Sequence, residues 1–378
     1  MPTIIDRYML RQFLQVLIIC LTSLIGLYIV IDAFGHLDHF LDYAAKHGNL
    51  LGTMVSYYSF FAIKLFDRMS SVLTLIAVMF TITWIQRHHE MTALLAAGVS
   101  RVRVLRPVLM AAIGVGLLAA ANREFVLPNI REHLANDTKN LGGEQQSAMD
   151  SRFDSQTDIC IGGEKIVPAT QKIINPSIVL PRGLDRYGKR LTAKEAVYLP
   201  AKDGLPSGYL LLDVNEPKAL LKSPALTLDG KPVVMTPVGN DWLQHDQVFV
   251  VSGVSFEFLA AGATWRDFAS TREMIQQLRS PSTDLGADVR VAIHSRFLQP
   301  LLDTTLILLG IPFVVTRTNR NPFISLGLCL AVVTIFMATV LGCQSLGTKG
   351  VLSPTIAAWL PLMVFAPIAA FTSDSLRQ

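Results

Sequence analysis

FLQVLIICLTSLIGLYIVIDAF occupies Phe13–Phe34 and contains one charged residue, Asp32. A helix needs about 20 apolar residues to cross the hydrocarbon core of a bilayer, so this run predicts a membrane span. Five further apolar runs support the same interpretation, three spans lying before a long polar segment and three after it. The predicted crossings are Phe13–Phe34, Met69–Ile85, Pro107–Ala121, Phe297–Thr316, Pro322–Gly342 and Thr355–Phe371.

The composition of the chain agrees with a polytopic membrane protein. Of its 378 residues, 51% are hydrophobic and only 16% are charged, and the mean hydropathy is +0.42. A compact soluble protein of this composition would have too little polar surface to cover itself. The cysteines are scattered, and three of the 4 lie in or beside apolar runs, so no disulfide framework is predicted.

The distribution of Lys and Arg over the short loops predicts the orientation in the membrane. If the N-terminus is cytoplasmic, the short outer loops receive only Lys46 and Lys349, and the inner side receives the arginines. Both termini are therefore predicted to be cytoplasmic, and the segment from 122 to 290 is predicted to lie outside. The predicted inner arginines are Arg7, Arg11, Arg87, Arg101, Arg103, Arg106, Arg317, Arg320 and Arg377.

The outer segment predicts an antiparallel all-β domain, because its short β-type runs are broken by Pro and Gly. In the run Val248–Leu259, the apolar Val254, Phe256 and Phe258 alternate with polar residues, which predicts a strand with one buried face. Ser270 and Glu273 fit a capping box that begins a helix. The predicted domains are spans one to three at 1–122, the β domain at 123–290 and spans four to six at 291–378.

A short amphipathic helix is predicted at about 87–99, between the second and third spans. Met91, Leu94 and Leu95 recur at helical spacing, and Gly98 is placed to end the helix. One interpretation is a connector on the membrane surface with solvated charges. The other is a coupling helix that docks on a cytoplasmic motor, with Glu90 offering its carboxylate to a basic partner.

Signatures of an enzyme are lacking in the sequence. His89-Glu90 begins like the zinc protease motif H-E-x-x-H, but Ala93 stands where the second histidine belongs. No phosphate-binding loop G-x-x-x-x-G-K-[ST] occurs, so ATP-driven work requires another polypeptide. The prediction is a protein without catalytic, metal or cofactor residues.

Charged residues in or beside the spans are the remaining candidates, since an ionisable group at membrane depth is costly. Lys64 and Asp67 are spaced to pair on a helix, and together with Arg68 they fit either a neutralised cluster or a contact with lipid headgroups. Asp303 lies inside the fourth span and fits either a structural partner or a role in transport. Arg103, Arg106 and Arg123 flank the short third span and can snorkel to the headgroups.

Nearly the whole chain resembles the lipopolysaccharide export permeases of the LptF/LptG (YjgP/YjgQ) family. The resemblance depends on the order of five segments together with the 3 + domain + 3 layout. These segments are Ile5–Tyr8, Glu90–Ser100, Asn122 followed by Pro128, Gly310–Pro312 and Pro354–Pro361.

This resemblance implies a half-transporter of six helices with an inserted periplasmic β-jellyroll, in the inner membrane. It implies a second LptF/LptG-type permease, a cytoplasmic LptB-like ATPase dimer, an optional single-span LptC-like protein and a periplasmic LptA-like bridge. The cargo would be lipopolysaccharide or a similar glycolipid, with no role for nucleic acid. The first and fifth spans would form lateral gates.

The resemblance also suggests site residues. Coupling to the ATPase would involve Glu90, Met91, Leu94 and Gly98. The stretch Asp32–Asp42 is acidic where family members often carry basic residues, so the headgroup candidates are Lys64, Arg68 and Arg123. The candidates for a lipid groove in the β domain are Val254, Phe256 and Phe258.

Two other functions fit the sequence. In one, the chain is a permease whose outer domain transmits force without conducting lipid. In a different class, it would be a membrane-anchored scaffold or sensor with a ligand-binding outer domain. A scaffold has no need of a helix shaped for a motor, so a change at Glu90 distinguishes this last hypothesis from the other two.

Overall fold

The computed structural model of the chain describes residues 4–38, 40–41, 50–131, 147–181, 184, 188–202, 205–228, 230–261, 265–282, 286–315 and 322–374. The chain divides into two compact units, one formed by Met1–His133 with Gly286–Gln378 and the other by Leu134–Leu285. The described α-helices are α1 (Ile4–Gly35), α2 (Leu50–Arg87), α3 (Glu90–Ala96), α4 (Arg101–Ala121), α5 (Phe256–Ala261), α6 (Trp265–Phe268), α7 (Thr271–Arg279), α8 (Ala287–Val315), α9 (Pro322–Thr348) and α10 (Pro354–Asp374).

Among the described residues, five helices are long and apolar enough to cross a membrane. The predicted crossing Phe297–Thr316 falls on α8, which is not one of the five, and its last residue lies outside the described part of the chain. Six crossings therefore stay a prediction. The five helices are Ile4–Gly35, Leu50–Arg87, Arg101–Asn129, Gly327–Thr348 and Pro354–Thr372.

The helix of the third predicted crossing is longer than the sequence suggests. The prediction ended it at Ala121, before the polar residues Asn122, Arg123 and Glu124, but the helix continues through a π-helical turn (Asn122–Val126) and a last turn (Leu127–Asn129). The polar side chains are accommodated because they find partners on neighbouring helices, as described below. The helix is therefore longer than predicted, and the length of the membrane crossing within it stays a prediction.

The core of the helical unit is formed by α1, α2, α3, α4, α8, α9 and α10. It includes the fully buried side chains of Phe13, Leu75, Leu105, Leu306 and Phe336. The apolar section of α1 is unburied within the chain, whereas more than half of the corresponding section of α2 is buried. The buried residues of α1 (Met9, Phe13 and Leu17) lie in its first half, and residues as far as Leu24 are partly buried against the core.

The second unit is built on one antiparallel sheet. Its strand order is β1-β3-β4-β5-β6-β9-β8-β7, and β2 also pairs with β3. The described strands form one curled antiparallel sheet, so the predicted β domain is confirmed, and its resemblance to a jellyroll stays a prediction. The strands are β1 (Ser147–Ala148), β2 (Arg152–Asp154), β3 (Ile159–Val167), β4 (Lys172–Val179), β5 (Arg190–Leu199), β6 (Gly208–Glu216), β7 (Leu226–Leu228), β8 (Lys231–Met235) and β9 (Val248–Val251).

The predicted strand Val248–Leu259 is wrong in its second half. The strand β9 ends at Val251, and Phe256 and Phe258 lie on the short helix α5. Two side chains redirect the backbone at this point. The Asp154 carboxylate accepts hydrogen bonds from the Ser252 hydroxyl at 2.6 Å and the Gly253 amide at 3.1 Å, and the Ser255 hydroxyl accepts one from the Phe258 amide at the start of α5.

The predicted capping box is confirmed. The Ser270 hydroxyl accepts a hydrogen bond from the Glu273 amide, and the Glu273 carboxylate accepts one from the Ser270 amide. This reciprocal pair begins α7.

Candidate functional site

The segment between α2 and α4 folds as a short helix with defined ends. His89 precedes α3 in a left-handed conformation, with φ of 59°. At the other end Gly98, with φ of 82°, donates its amide to the Leu95 carbonyl, and Val99 donates to the Leu94 carbonyl. This is the Schellman arrangement, which favours glycine because of the positive φ. The prediction that Gly98 ends the helix is confirmed.

The N-terminal end of α1 is fastened on both sides of α3. The Tyr8 hydroxyl lies 3.1 Å from each oxygen of the Glu90 carboxylate, to which it donates. Just past α3, the Arg103 guanidinium donates to the Asp6 carboxylate at 3.3 Å. We call these two contacts the α1 clamp. They tie α1 to residues that are 82 and 97 positions away in the sequence.

The two faces of α3 differ in what they contact. Met91 is buried in the core of the helical unit, and Leu94 is half-buried against it. These predicted coupling residues therefore anchor α3 to its own chain. The surface that α3 leaves exposed is small and smooth, and consists of Thr92, Ala93, Ala96 and Ala97.

The predicted headgroup candidates have different surroundings. Arg123 forms a two-point interaction with Asp67, its Nε and Nη2 lying 3.0 to 3.1 Å from the carboxylate oxygens. Lys64 is half-buried and Arg68 is exposed. A further cation, which the sequence analysis did not single out, lies in α8: Arg296 is 3.8 Å from Glu124. Arg123 and Glu124 are adjacent in the π-helical turn and opposite in charge, and they contact two different helices, α2 and α8.

The two carboxylates predicted at membrane depth both accept hydrogen bonds from neutral side chains. Asp303 is buried and accepts from the Ser71 hydroxyl at 2.6 Å and from the Gln299 amide at 2.9 Å. Asp32 accepts from the Tyr58 hydroxyl at 3.0 Å and from the Tyr28 hydroxyl at 3.2 Å. Asp303 therefore has the structural partners that one of its two interpretations required.

In the β unit, the three groove candidates are all buried. Val254, Phe256 and Phe258 are exposed by 0%, 3% and 8%, respectively. The Tyr209 hydroxyl donates to the Val254 carbonyl at 2.9 Å, and the Phe258 ring packs edge-on against Trp265 at 5.3 Å. Together these side chains form an apolar wall built from α5 and α6. Among these contacts, Tyr209 is the one polar side chain of the sheet that bonds to the wall.

Sequence reasoning missed three residues of these regions. Tyr8 and Arg296 act through contacts between distant segments, and no local pattern marks them. Arg152 lies on the short strand β2, with its Cζ 5.1 Å from the centre of the Phe258 ring. Within the described part of the chain, no group of three or more His, Cys, Asp or Glu residues is arranged to hold a metal ion.

Comparison with known proteins gives one match. A family model described as "Lipopolysaccharide export system permease LptF/LptG" matches residues 7–374, nearly the whole chain. No curated protein matches it.

Proposed function

Because the chain belongs to the LptF/LptG family of lipopolysaccharide export system permeases, we propose that it is one of two permease subunits that an ATPase drives through α3. Its family and its apolar helices make it a multi-pass protein of the inner membrane, and members of the family are permease subunits without a nucleotide-binding domain. ATP hydrolysis then belongs to a cytoplasmic, LptB-like partner.

The observation that carries this proposal is the construction of α3. Its apolar side is anchored by Met91 and Leu94, so the helix cannot move without moving the core of the bundle. Its other side offers Ala93 and Ala96, whose small side chains let a groove of another protein approach closely. A connector that is merely solvated needs neither the anchored side nor a closed C-terminal cap.

The α1 clamp supports transmission from α3 to the membrane. Although α1 also contacts α2 further along, at Tyr28 and Asp32, its apolar section is unburied, so a displacement of α3 that is passed on through Tyr8 moves a surface that can face lipid. We propose that α1 is a moving gate through which lipopolysaccharide enters from the bilayer. With both termini cytoplasmic, the β unit is periplasmic and hands the lipid to an LptA-like bridge.

Substitution of the exposed side of α3 tests this proposal. Ala93→Arg adds a long cation where a partner would dock, and it leaves the buried anchor untouched. We expect the variant to fold normally, to lose association with a co-expressed LptB-like ATPase, and to lose ATP-driven release of lipopolysaccharide from proteoliposomes. The matched control is Thr348→Arg, which places the same side chain at an exposed position at the end of α9. Normal association and release by Ala93→Arg would favour the scaffold or sensor hypothesis.

A second candidate function is favoured by the burial of Val254, Phe256 and Phe258. Side chains packed against Tyr209 and Trp265 of their own unit suit a β domain that transmits force without conducting lipid. Photocrosslinking distinguishes the two permease hypotheses. A photoreactive residue at Phe258, or at Phe153, which is 55% exposed, should capture lipopolysaccharide during turnover if the domain conducts lipid. Adducts restricted to the helical unit would support force transmission.

A further inference from the structure

Arg152 carries a charge that the described part of the chain does not neutralise. It forms no ion pair and no hydrogen bond there, and its Nε is one of two buried side-chain polar atoms without a hydrogen-bond partner. A guanidinium has five N–H donors and is always charged, so leaving it unpaired next to apolar side chains is unfavourable. Such a group is stabilised when an external anion supplies the missing acceptors.

The nearest acidic residue in the same strand, Asp154, uses its carboxylate in hydrogen bonds to other residues. Arg152 and Asp154 lie on the same face of β2, because side chains two residues apart on a strand point to the same side. Asp154 is fully buried, and its carboxylate accepts hydrogen bonds from Ser252, Gly253 and Gln156. It holds the turn after β9 in place and forms no ion pair with Arg152 within the described residues.

The position of the guanidinium is fixed by an aromatic ring. Its Cζ lies 5.1 Å from the centre of the Phe258 ring, within the range of a cation–π interaction. Phe258 is itself held edge-on by Trp265. A guanidinium that lies over a ring face can still donate from its two Nη groups, whose parallel N–H bonds match two oxygens of a phosphate.

We propose that Arg152, whose guanidinium lies over the Phe258 ring, is an anion subsite of the β unit that binds a phosphate group attached to an amphipathic lipid. The other large apolar side chains of α5 and α6 are packed within the unit, and the edge of Phe258 is the apolar surface next to the cation, so the site pairs a charged contact with an apolar one. A lipid with a phosphorylated sugar headgroup has both chemistries, and a free phosphate ion has only the first. This inference deepens the proposed export function, on which the choice of lipid depends.

Binding to the purified full-length chain tests the subsite. The probes are diphosphoryl lipid A, its dephosphorylated form and inorganic phosphate, each titrated against the protein in detergent. Arg152→Gln should weaken binding of diphosphoryl lipid A by roughly tenfold or more, the value of a lost charge-assisted hydrogen bond, without changing affinity for the dephosphorylated form. Arg152→Lys keeps the charge but loses the paired donors. Its affinity for diphosphoryl lipid A should therefore lie between those of the wild type and Arg152→Gln.

The matched control is Arg190→Gln, which removes one positive charge from an exposed position of β5 in the same unit. It should bind all three probes like the wild type, and thermal unfolding of each variant reports whether the fold is kept. If inorganic phosphate at low concentration displaces diphosphoryl lipid A, the anion site is supported but its ligand is a free anion. Equal affinity of the wild type and Arg152→Gln for diphosphoryl lipid A would overturn the subsite.

The subsite and the export function fail in different ways. If Arg152→Gln binds normally while ATP-driven release by the wild type is intact, only the subsite is wrong. If the wild type binds no form of lipid A, the subsite is wrong and so is the choice of lipopolysaccharide as the cargo.

Discussion

At the scale of single residues, Tyr209 shows how much one buried hydroxyl contributes to the β unit. It lies in β6, is fully buried, and donates to the Val254 carbonyl just before α5. Tyr209→Phe leaves that carbonyl without a donor, which costs about 1–3 kcal/mol for a buried group. We expect a lower midpoint in thermal unfolding of the full-length chain. The control Tyr198→Phe removes a hydroxyl that makes no hydrogen bond within the described residues, and a loss as large there would contradict the account.

The same side chain predicts a dependence on pH. Burial raises the pKa of Tyr209 well above its ordinary value of about 10. The unfolded chain releases this proton near pH 10 while the folded chain holds it, so the stabilisation is complete below about pH 10 and declines as the pH rises further. The stability difference between the wild type and Tyr209→Phe should therefore shrink between about pH 8 and about pH 11. A difference that is constant over this range would show that Tyr209 is not held neutral by burial.

At the scale of secondary-structure elements, the α1 clamp is the contact that deserves a direct test. Tyr8→Phe removes one hydroxyl from a partly exposed hydrogen bond, so the unfolding midpoint should change little. We expect fewer lipid molecules released per ATP hydrolysed, because α1 no longer follows α3 closely. The readout is the ratio of release to hydrolysis in proteoliposomes, with Tyr198→Phe as the control.

A double-mutant cycle makes this test specific. If Tyr8 acts through Glu90, then Tyr8→Phe should have little further effect on the release ratio in a Glu90→Ala background, where the acceptor is absent. Independent, additive effects of the two substitutions would count against the clamp. Glu90→Arg is a less specific probe, because it breaks the contact with Tyr8 and any contact with a partner at once.

Much of the element structure could be predicted from the sequence, and the exceptions have physical causes. The capping box at Ser270 and the end of α3 at Gly98 were predictable because caps depend on neighbouring residues. The continuation of α4 past Ala121 was not, since it depends on Arg123 finding Asp67 on another helix. Phe256 and Phe258 alternate as in a strand, but the distant Asp154 holds the turn that ends β9 before them.

The candidate site was predictable only in part. The sequence placed Glu90, Met91 and Leu94 on one short helix, which the structure confirms. It did not indicate that Met91 would be buried or that Glu90 would bond to Tyr8, because both depend on the packing of α1. Nor did it indicate that Ala93 and Ala96 would form the exposed surface of α3.

At the scale of the whole molecule, the predicted orientation can be tested with single cysteines. Arg87→Cys and Lys349→Cys are exposed positions near opposite ends of the predicted spans, in a chain without its native cysteines. A thiol reagent that cannot cross membranes should label Lys349→Cys in spheroplasts and should label Arg87→Cys only after the membrane is opened. The reverse pattern would place the termini outside and remove α3 from the reach of a cytoplasmic ATPase.

The central claim is that a push on α3 moves lipopolysaccharide into the β unit. Its most direct measurement is photocrosslinking of lipopolysaccharide to a photoreactive residue at position 153, next to Arg152, in proteoliposomes that contain the complete complex. The account predicts adducts that accumulate with ATP, that are lost in Ala93→Arg, and that persist in Thr348→Arg. Adducts that form equally without ATP, or that are unchanged in Ala93→Arg, would contradict it.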